Sequence, residues 1–389
     1  MTNAIVRIIQ IIAAVGVVSG SLYYLLCLWS AEKFLRANKT VTETDEPFLP
    51  PVSVLKPIKG IDPEMYESFR SQVLQDYPHH EVIFGVSEPG DPATEIIKKL
   101  MTEFSRGRIV WKVCPEVLGA NVKVSNLVQM LDLASCDYLI VNDSDIRVEG
   151  DYLRRVIAPL ADSRIGMVTC LYRGVAAPTL GSRLEALGIS TDFIPGVLAA
   201  QQLEGGIRFG LGSTLAFRRA ELKKIGGFES ILDCLADDYE LGKRIADLGM
   251  KVKLSDVVVE TFLPPYRFRE FLAHQLRWAR GVRDARAGGY VGLIFTFGTF
   301  WALVALAASR GAPWSWGALA LVLALRFVVA FRVGGRVLHD RQVWKYFWLI
   351  PLRDLIAVGV WIASFAGHTV NWRGERFRLR AGKLTRILR

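Results

Sequence analysis

The sequence predicts an α/β domain with a mostly parallel sheet, set between membrane-crossing segments on its N-terminal and C-terminal sides. Three observations carry this. The 389 residues are 51% hydrophobic with a mean hydropathy of +0.27, too apolar for an ordinary soluble protein and too polar for membrane helices alone. From about Val52 to Val282, short β-branched runs alternate with helical patterns. Long, nearly uncharged stretches lie on both sides of that region.

The first stretch, Ile5 to Trp29, is uncharged beyond Arg7 and reaches the roughly 20 residues a bilayer crossing needs. A cleaved signal peptide would have a shorter apolar core and a small-residue cleavage site. Here Lys33, Arg36 and Lys39 follow instead and mark a cytoplasmic flank. The reading is an uncleaved anchor over residues 1–30 with its N-terminus outside, then a linker over 31–51 ending in the polar, proline-containing run 40–51. Within the domain at 52–282, strands are expected at Val52–Leu55, Glu81–Val86, Arg108–Trp111 and Tyr138–Val141. Helices are expected at Glu64–Leu74 and Thr94–Phe104. Residues 283–370 hold three apolar stretches, at 290–308, 313–331 and about 346–367. Arg353 and Asp354 divide the third, leaving Leu355–Gly367 as its longest uncharged run, short for a span. Two full crossings, a third segment that does not fully cross and a cytosolic basic tail over 371–389 are therefore expected, the tail lying on an anionic leaflet.

The net charge of +10 suits anionic lipid or a phosphorylated ligand, and its concentration near apolar segments disfavours nucleic acid. The five cysteines, Cys27, Cys114, Cys136, Cys170 and Cys234, are odd in number and show no CxxC spacing, which argues against a disulfide framework or a zinc site.

Chemistry concentrates where strands end. Asn142-Asp143-Ser144-Asp145 follows the strand Tyr138–Val141, and two carboxylates one residue apart can hold a divalent cation. An acidic turn is the alternative. Asp237-Asp238 at a helix start either favours the helix dipole or supplies a carboxylate able to take a proton. Asp91 lies beyond the strand ending at Val86, where a turn aspartate is equally natural. Lys56 and Lys123 could pair with a diphosphate or simply be solvated. Gly210-Leu211-Gly212 permits close backbone approach. His274-Gln275-Leu276-Arg277-Trp278 sets a cation beside an aromatic, as interfacial anchors also do.

The runs VSVLKPIKGID, NVKVSNL, NDSDIRV, LADDYELGKRIADLG and HQLRW together resemble glycosyltransferase family 21, of the GT-A fold and family 2 type. The resemblance runs from the anchor to the tail and implies a cytosolic GT-A domain in an integral membrane protein, of the bacterial inner membrane. It implies transfer of glucose or N-acetylglucosamine from a UDP-sugar to a lipid hydroxyl. By similarity Asp91 helps bind the uridine nucleotide, Asp143 and Asp145 hold Mn²⁺ or Mg²⁺, and Asp238 is the base. Lys56 and Lys123 remain candidates for the diphosphate. Arg277 and Trp278 match the end of the (Gln/Arg)-x-x-Arg-Trp motif, whose first position is His274 here. Asp-Ser-Asp, the run Thr169–Gly174 and His274 resemble the hopanoid branch more than the animal ceramide branch. A processive polysaccharide synthase would need more apolar segments for a polymer channel. A non-catalytic membrane binder would be expected to have lost Asp143, Asp145 or Asp238.

Overall fold

The computed structural model describes residues 2–39, 47–105, 107–372 and 375–387. The chain forms two compact units: residues 41–177, 204–264 and 373–389 make one, and residues 1–40, 178–203 and 265–372 the other. Part of the expected linker, 40–46, and the tail residues Arg373 and Arg389 lie outside the described residues.

The first unit is α/β. Its strands are β1 (Val52–Ile58), β2 (His80–Val86), β3 (Ile109–Val113), β4 (Tyr138–Val141), β5 (Ile146–Arg147), β6 (Ile165–Val175), β7 (Leu215–Arg218) and β8 (Lys251–Phe262). They form one sheet in the order β3-β2-β1-β4-β7-β6-β8-β5. The pairs β1–β2, β2–β3, β1–β4 and β6–β8 are parallel, whereas β4–β7, β6–β7 and β5–β8 are antiparallel. Every residue of β1 is buried, as expected of a central parallel strand covered on both faces. The chain runs outward from β1 to β2 and β3, then returns to β1's other side as β4. That reversal opens a crevice beyond the carboxyl ends of β1 and β4, where ligands of open α/β sheets sit. Asp143 and Asp145 follow β4 directly.

The basic tail departs from expectation, because its described part is folded. Strands Glu375–Arg380 and Lys383–Arg386 pair antiparallel. Phe377, Leu379 and Leu384 alternate inward and are buried, while Arg376, Arg378, Arg380 and Lys383 face out. The period-2 alternation of apolar and charged residues, missed in favour of the charge count, carries this strand signal.

The second unit is helical. Its first helix, Thr2–Lys39, continues well past Trp29, because Ala31-Glu32-Lys33-Phe34-Leu35-Arg36 are good helix formers with no breaker among them. The linker expected from residue 31 is helix as far as 39. Residues 178–203, read from sequence as part of the α/β domain, belong here: Leu184 and Leu187 pack with Phe271, Ala330, Val343 and Ile350. Helices Ala4–Asn38, Pro313–Val337 and Arg341–Ser364 are each long and apolar enough to cross a membrane. Arg353 and Asp354 do not divide the last one, contrary to expectation. Asp354 accepts from Arg326 (2.7 Å) and Thr299 (2.8 Å), and Arg353 donates to Gln275 (2.8 Å). Both charges find protein partners, which is how such residues survive in a membrane segment. The interrupted segment is the earlier one: Ala287–Thr296 and Gly298–Ala308 meet at a 51° bend.

Candidate functional site

The crevice beyond β1 and β4 gathers two lysines, Lys56 and Lys123, and five aspartates, Asp62, Asp143, Asp145, Asp237 and Asp238. Asn142 sets the turn after β4: its Nδ2 donates to the Ser213 carbonyl (2.6 Å) and to the Tyr152 hydroxyl (3.0 Å). Fully buried, it gives the next residues little freedom. Asp143 Oδ1 meets Lys123 Nζ at 2.8 Å, and its carbonyl accepts from Lys56 Nζ at 2.9 Å. Asp145 accepts a hydrogen bond from the Thr261 hydroxyl, and Ser144 donates to Asp62.

Lys123 is the hub. Its helix, Val122–Met130, is capped by Asn121, whose side chain accepts from Val124 N. From there the ammonium bridges Asp143 and Asp237, at 2.8 and 2.9 Å. Burial alone would lower its pKa, but the carboxylates of Asp143, Asp237 and Asp238 outweigh burial and raise it, so it is a permanent cation. Lys56, wholly buried, is pulled down to about 8 by burial, against the opposing pull of Asp145 and Asp143.

Asp238 opens the helix Asp237–Asp247. Its carboxylate accepts from Gly212 N and Tyr239 N, both at 2.8 Å. Burial, then the adjacent Asp237, push it up to about 6. Gly212 explains the glycine-rich run: a Cβ there would lie 2.9 Å from Asp143 Oδ2 and 3.3 Å from Asp238 Oδ2. The backbone is thus approached by two carboxylates of the protein itself.

Asp145 is likewise raised to about 6, by burial and then by Asp143. A pair of oxygen donors whose charges resist joint ionisation fits a hard divalent cation. Among the described residues no three His, Cys, Asp or Glu side chains gather to enclose a metal. A cation at Asp143 and Asp145 would therefore complete its shell with water and phosphate oxygens, as Mg²⁺ commonly does.

The structure thus brings Lys56, Lys123, Asp143, Asp145 and Asp238 together. Asp91 sits in the same unit, but its buried carboxylate is engaged by Gly60 N (2.8 Å) and Ala93 N (2.9 Å), at the start of the helix Ala93–Glu103. Sequence reasoning assigned no role to Asn121, Asn142, Asp62 or Thr261. Of these only Asn121 carried a signal, a cap residue ahead of a helical pattern.

His274, Arg277 and Trp278 lie in the other unit, on the helix Phe268–Ala285. There His274 Nδ1 is 3.3 Å from Glu185 Oε1 and Gln275 donates to Glu185 Oε2 at 2.7 Å. The His274 ring lies between Tyr266 and Trp278, with centroids 5.4 Å from each. His274 and Gln275 therefore share one buried carboxylate, and the displaced glutamine is tied to the same anchor as the histidine.

Comparison with known proteins agrees with this architecture. The family model described as Glycosyl transferase family 21 matches residues 12–385. Ceramide glucosyltransferase 3 of Caenorhabditis elegans is 24% identical over 96% of this chain and 82% of its own length. Ceramide glucosyltransferase of Candida albicans is 31% identical over 30% of this chain and 24% of its own. Among solved structures, a mannosyltransferase from Pyrobaculum calidifontis, in complex with GDP-Man and Mn²⁺, superposes with a TM-score of 0.54 at 19% identity, covering 92% of this chain and 99% of that one. That likeness shows the fold, which is GT-A-like.

Proposed function

The chain belongs to glycosyl transferase family 21, and from that premise we propose that it moves glucose or N-acetylglucosamine from a UDP-sugar to the hydroxyl of a membrane lipid, a ceramide or a hopanoid, with inversion at the anomeric carbon. The observation that carries this reading is the approach of Asp143 and Asp238 to Gly212, with Lys123 paired to Asp143 and Asp145 two residues further along the same turn beyond β4. That constellation offers what such a transfer needs: a carboxylate able to take a proton beside groups able to meet a diphosphate.

Asp238 receives the proton of the acceptor hydroxyl as its oxygen attacks the anomeric carbon and the bond to UDP breaks. Its carboxylate, raised to about 6, is basic enough to accept that proton yet ionised at neutral pH. The backbone N–H groups of Gly212 and Tyr239 hold it in place. Asp143 and Asp145 would hold Mn²⁺ or Mg²⁺, which when bound offsets the negative charge developing on the departing diphosphate. Lys123, already bridging two carboxylates, keeps the cluster from repelling itself and adds positive charge there. Asp91, Lys56, His274, Arg277 and Trp278 are assigned to the nucleotide-sugar by family resemblance. The reading places the enzyme in the bacterial inner membrane with its α/β unit in the cytosol, where nucleotide sugars are made.

Incubation of the purified protein with UDP-glucose or UDP-N-acetylglucosamine, each with ceramide or bacteriohopanetetrol, tests this by mass spectrometry of the lipids. One donor–acceptor pair should yield a glycolipid, and chelation should stop it until Mn²⁺ or Mg²⁺ is restored. Absence of any glycosylated lipid, or full activity after rigorous chelation, contradicts the corresponding part.

A further inference from the structure

The segment Leu232–Ala236 leads directly into Asp237 and Asp238, and two different parts of the α/β unit hold its backbone. On one side stands Asn121. Its N–H donates to the Leu232 carbonyl (2.8 Å) and its Nδ2 to the Cys234 carbonyl (2.8 Å). The neighbouring Ala120 N donates to Asp233 Oδ1 (2.9 Å). On the other side stands the C-terminal hairpin. Leu235 N donates to the Gly382 carbonyl (3.1 Å), Leu384 N donates to the Asp233 carbonyl (2.7 Å), and Cys234 faces Lys383 in an antiparallel bridge.

The hairpin is built to present that edge. Ala381 and Gly382 both have positive φ, 49° and 75°, as a two-residue turn matched to the strand twist demands. Phe377, Leu379 and Leu384 bury the inner face. The bonds from the hairpin to the segment 233–235 run between main-chain groups. The hairpin therefore adds a short strand to the approach to the catalytic helix, using main-chain groups alone.

The geometry points to the hairpin as a working part of the active centre: residues 382–384 are positioning residues that fix Asp238 through the segment 233–235. This rests on the reading of Asp238 as the base. The hairpin's main-chain bonds to this segment lead toward the base, so loosening it should misplace Asp238 before it disturbs nucleotide binding. Misplacement of about 1 Å costs on the order of a hundred-fold in rate.

The test uses the full-length protein carrying Leu384→Pro, which deletes the N–H given to Asp233, or Gly382→Val, which places a β-branched residue at a φ it resists. Arg378→Gln, on the outer face, is the control. For each, kcat, the affinity for UDP and the melting temperature are measured, with hydrogen exchange at the Leu235 amide. The expectation is a kcat lowered on the order of ten- to a hundred-fold in Leu384→Pro and Gly382→Val, with UDP affinity retained, faster exchange at Leu235 and an unaffected control. Wild-type kcat in a folded variant whose Leu235 amide exchanges faster overturns the inference, as does a parallel loss of kcat and UDP affinity. If Leu384→Pro does not fold, Gly382→Val decides. An inactive Asp238→Asn beside fully active hairpin variants sinks only the hairpin's role. An active Asp238→Asn removes the base itself and, with it, anything for the hairpin to position.

Discussion

At the scale of single residues, the site works by crowding charge. Asp238→Asn keeps the size of the side chain, costs one of the two bonds accepted from Gly212 N and Tyr239 N and removes the proposed proton acceptor, so turnover should fall on the order of 10²- to 10⁴-fold while UDP affinity is retained; isothermal titration beside a rate assay reads both. The pH dependence has a fixed sign. Burial and the adjacent Asp237 push Asp238 up to about 6, and as the proposed base it must be ionised to act. The rate should therefore be steady above that value and fall by about ten-fold per pH unit below it. A rate that rises on acidification would exclude a carboxylate base. Gly212→Ala adds one methyl group 2.9 Å from the Asp143 carboxylate and 3.3 Å from that of Asp238. Activity should drop at least about ten-fold with little change in melting temperature. Asp143, Asp145 and Asp238 were legible because carboxylates at strand ends and helix starts are visible in a linear pattern. The pairing of Lys123 with Asp237 was not. It joins residues from distant elements, and a lone lysine reads the same whether solvated or bridging two acids.

At the scale of elements, β1 to β4 were legible from β-branched runs: β4 has the expected bounds, β1 and β2 run longer than expected, and β3 starts at Ile109 and ends at Val113. The excursion 178–203 was harder. It has no long apolar run, and its membership of the helical unit follows from packing against Phe271, Val343 and Ile350. The last long helix misled for a related reason. A charged pair in an apolar stretch reads as a break when its partners are unknown. Here Arg326 and Asp354 form a bidentate pair that also engages Thr191 and Thr299. Removing one charge strands the other, so Arg326→Met should destabilise by about 3–5 kcal/mol. Adding Asp354→Leu should recover much of that, because an apolar pair avoids the desolvation cost. Thermal inactivation in detergent measures both, and additive losses would mean that the two charges do not stabilise each other.

At the scale of the whole molecule, the described tail is part of the same compact unit as residues 47–105 and 107–177. A membrane arrangement that keeps the tail with this unit has an even number of full crossings between residues 265 and 372. Three apolar segments occur there, and the bent pair at Ala287–Thr296 and Gly298–Ala308 is the natural one to enter and leave on a single side. We predict that Thr385→Cys, in a background without other cysteines, stays unlabelled by a membrane-impermeant thiol reagent in intact cells and reacts after permeabilisation. Labelling of intact cells would place the tail, and with it the unit it folds into, outside and contradict the cytosolic reading. A single displacement by a lipid hydroxyl, with Asp238 as the one proposed base, inverts the anomeric centre. The anomeric configuration of the glycolipid made by the purified enzyme from an α-linked UDP-sugar, read by proton NMR, tests it most directly: a β-linked product is predicted, and an α-linked product would contradict it.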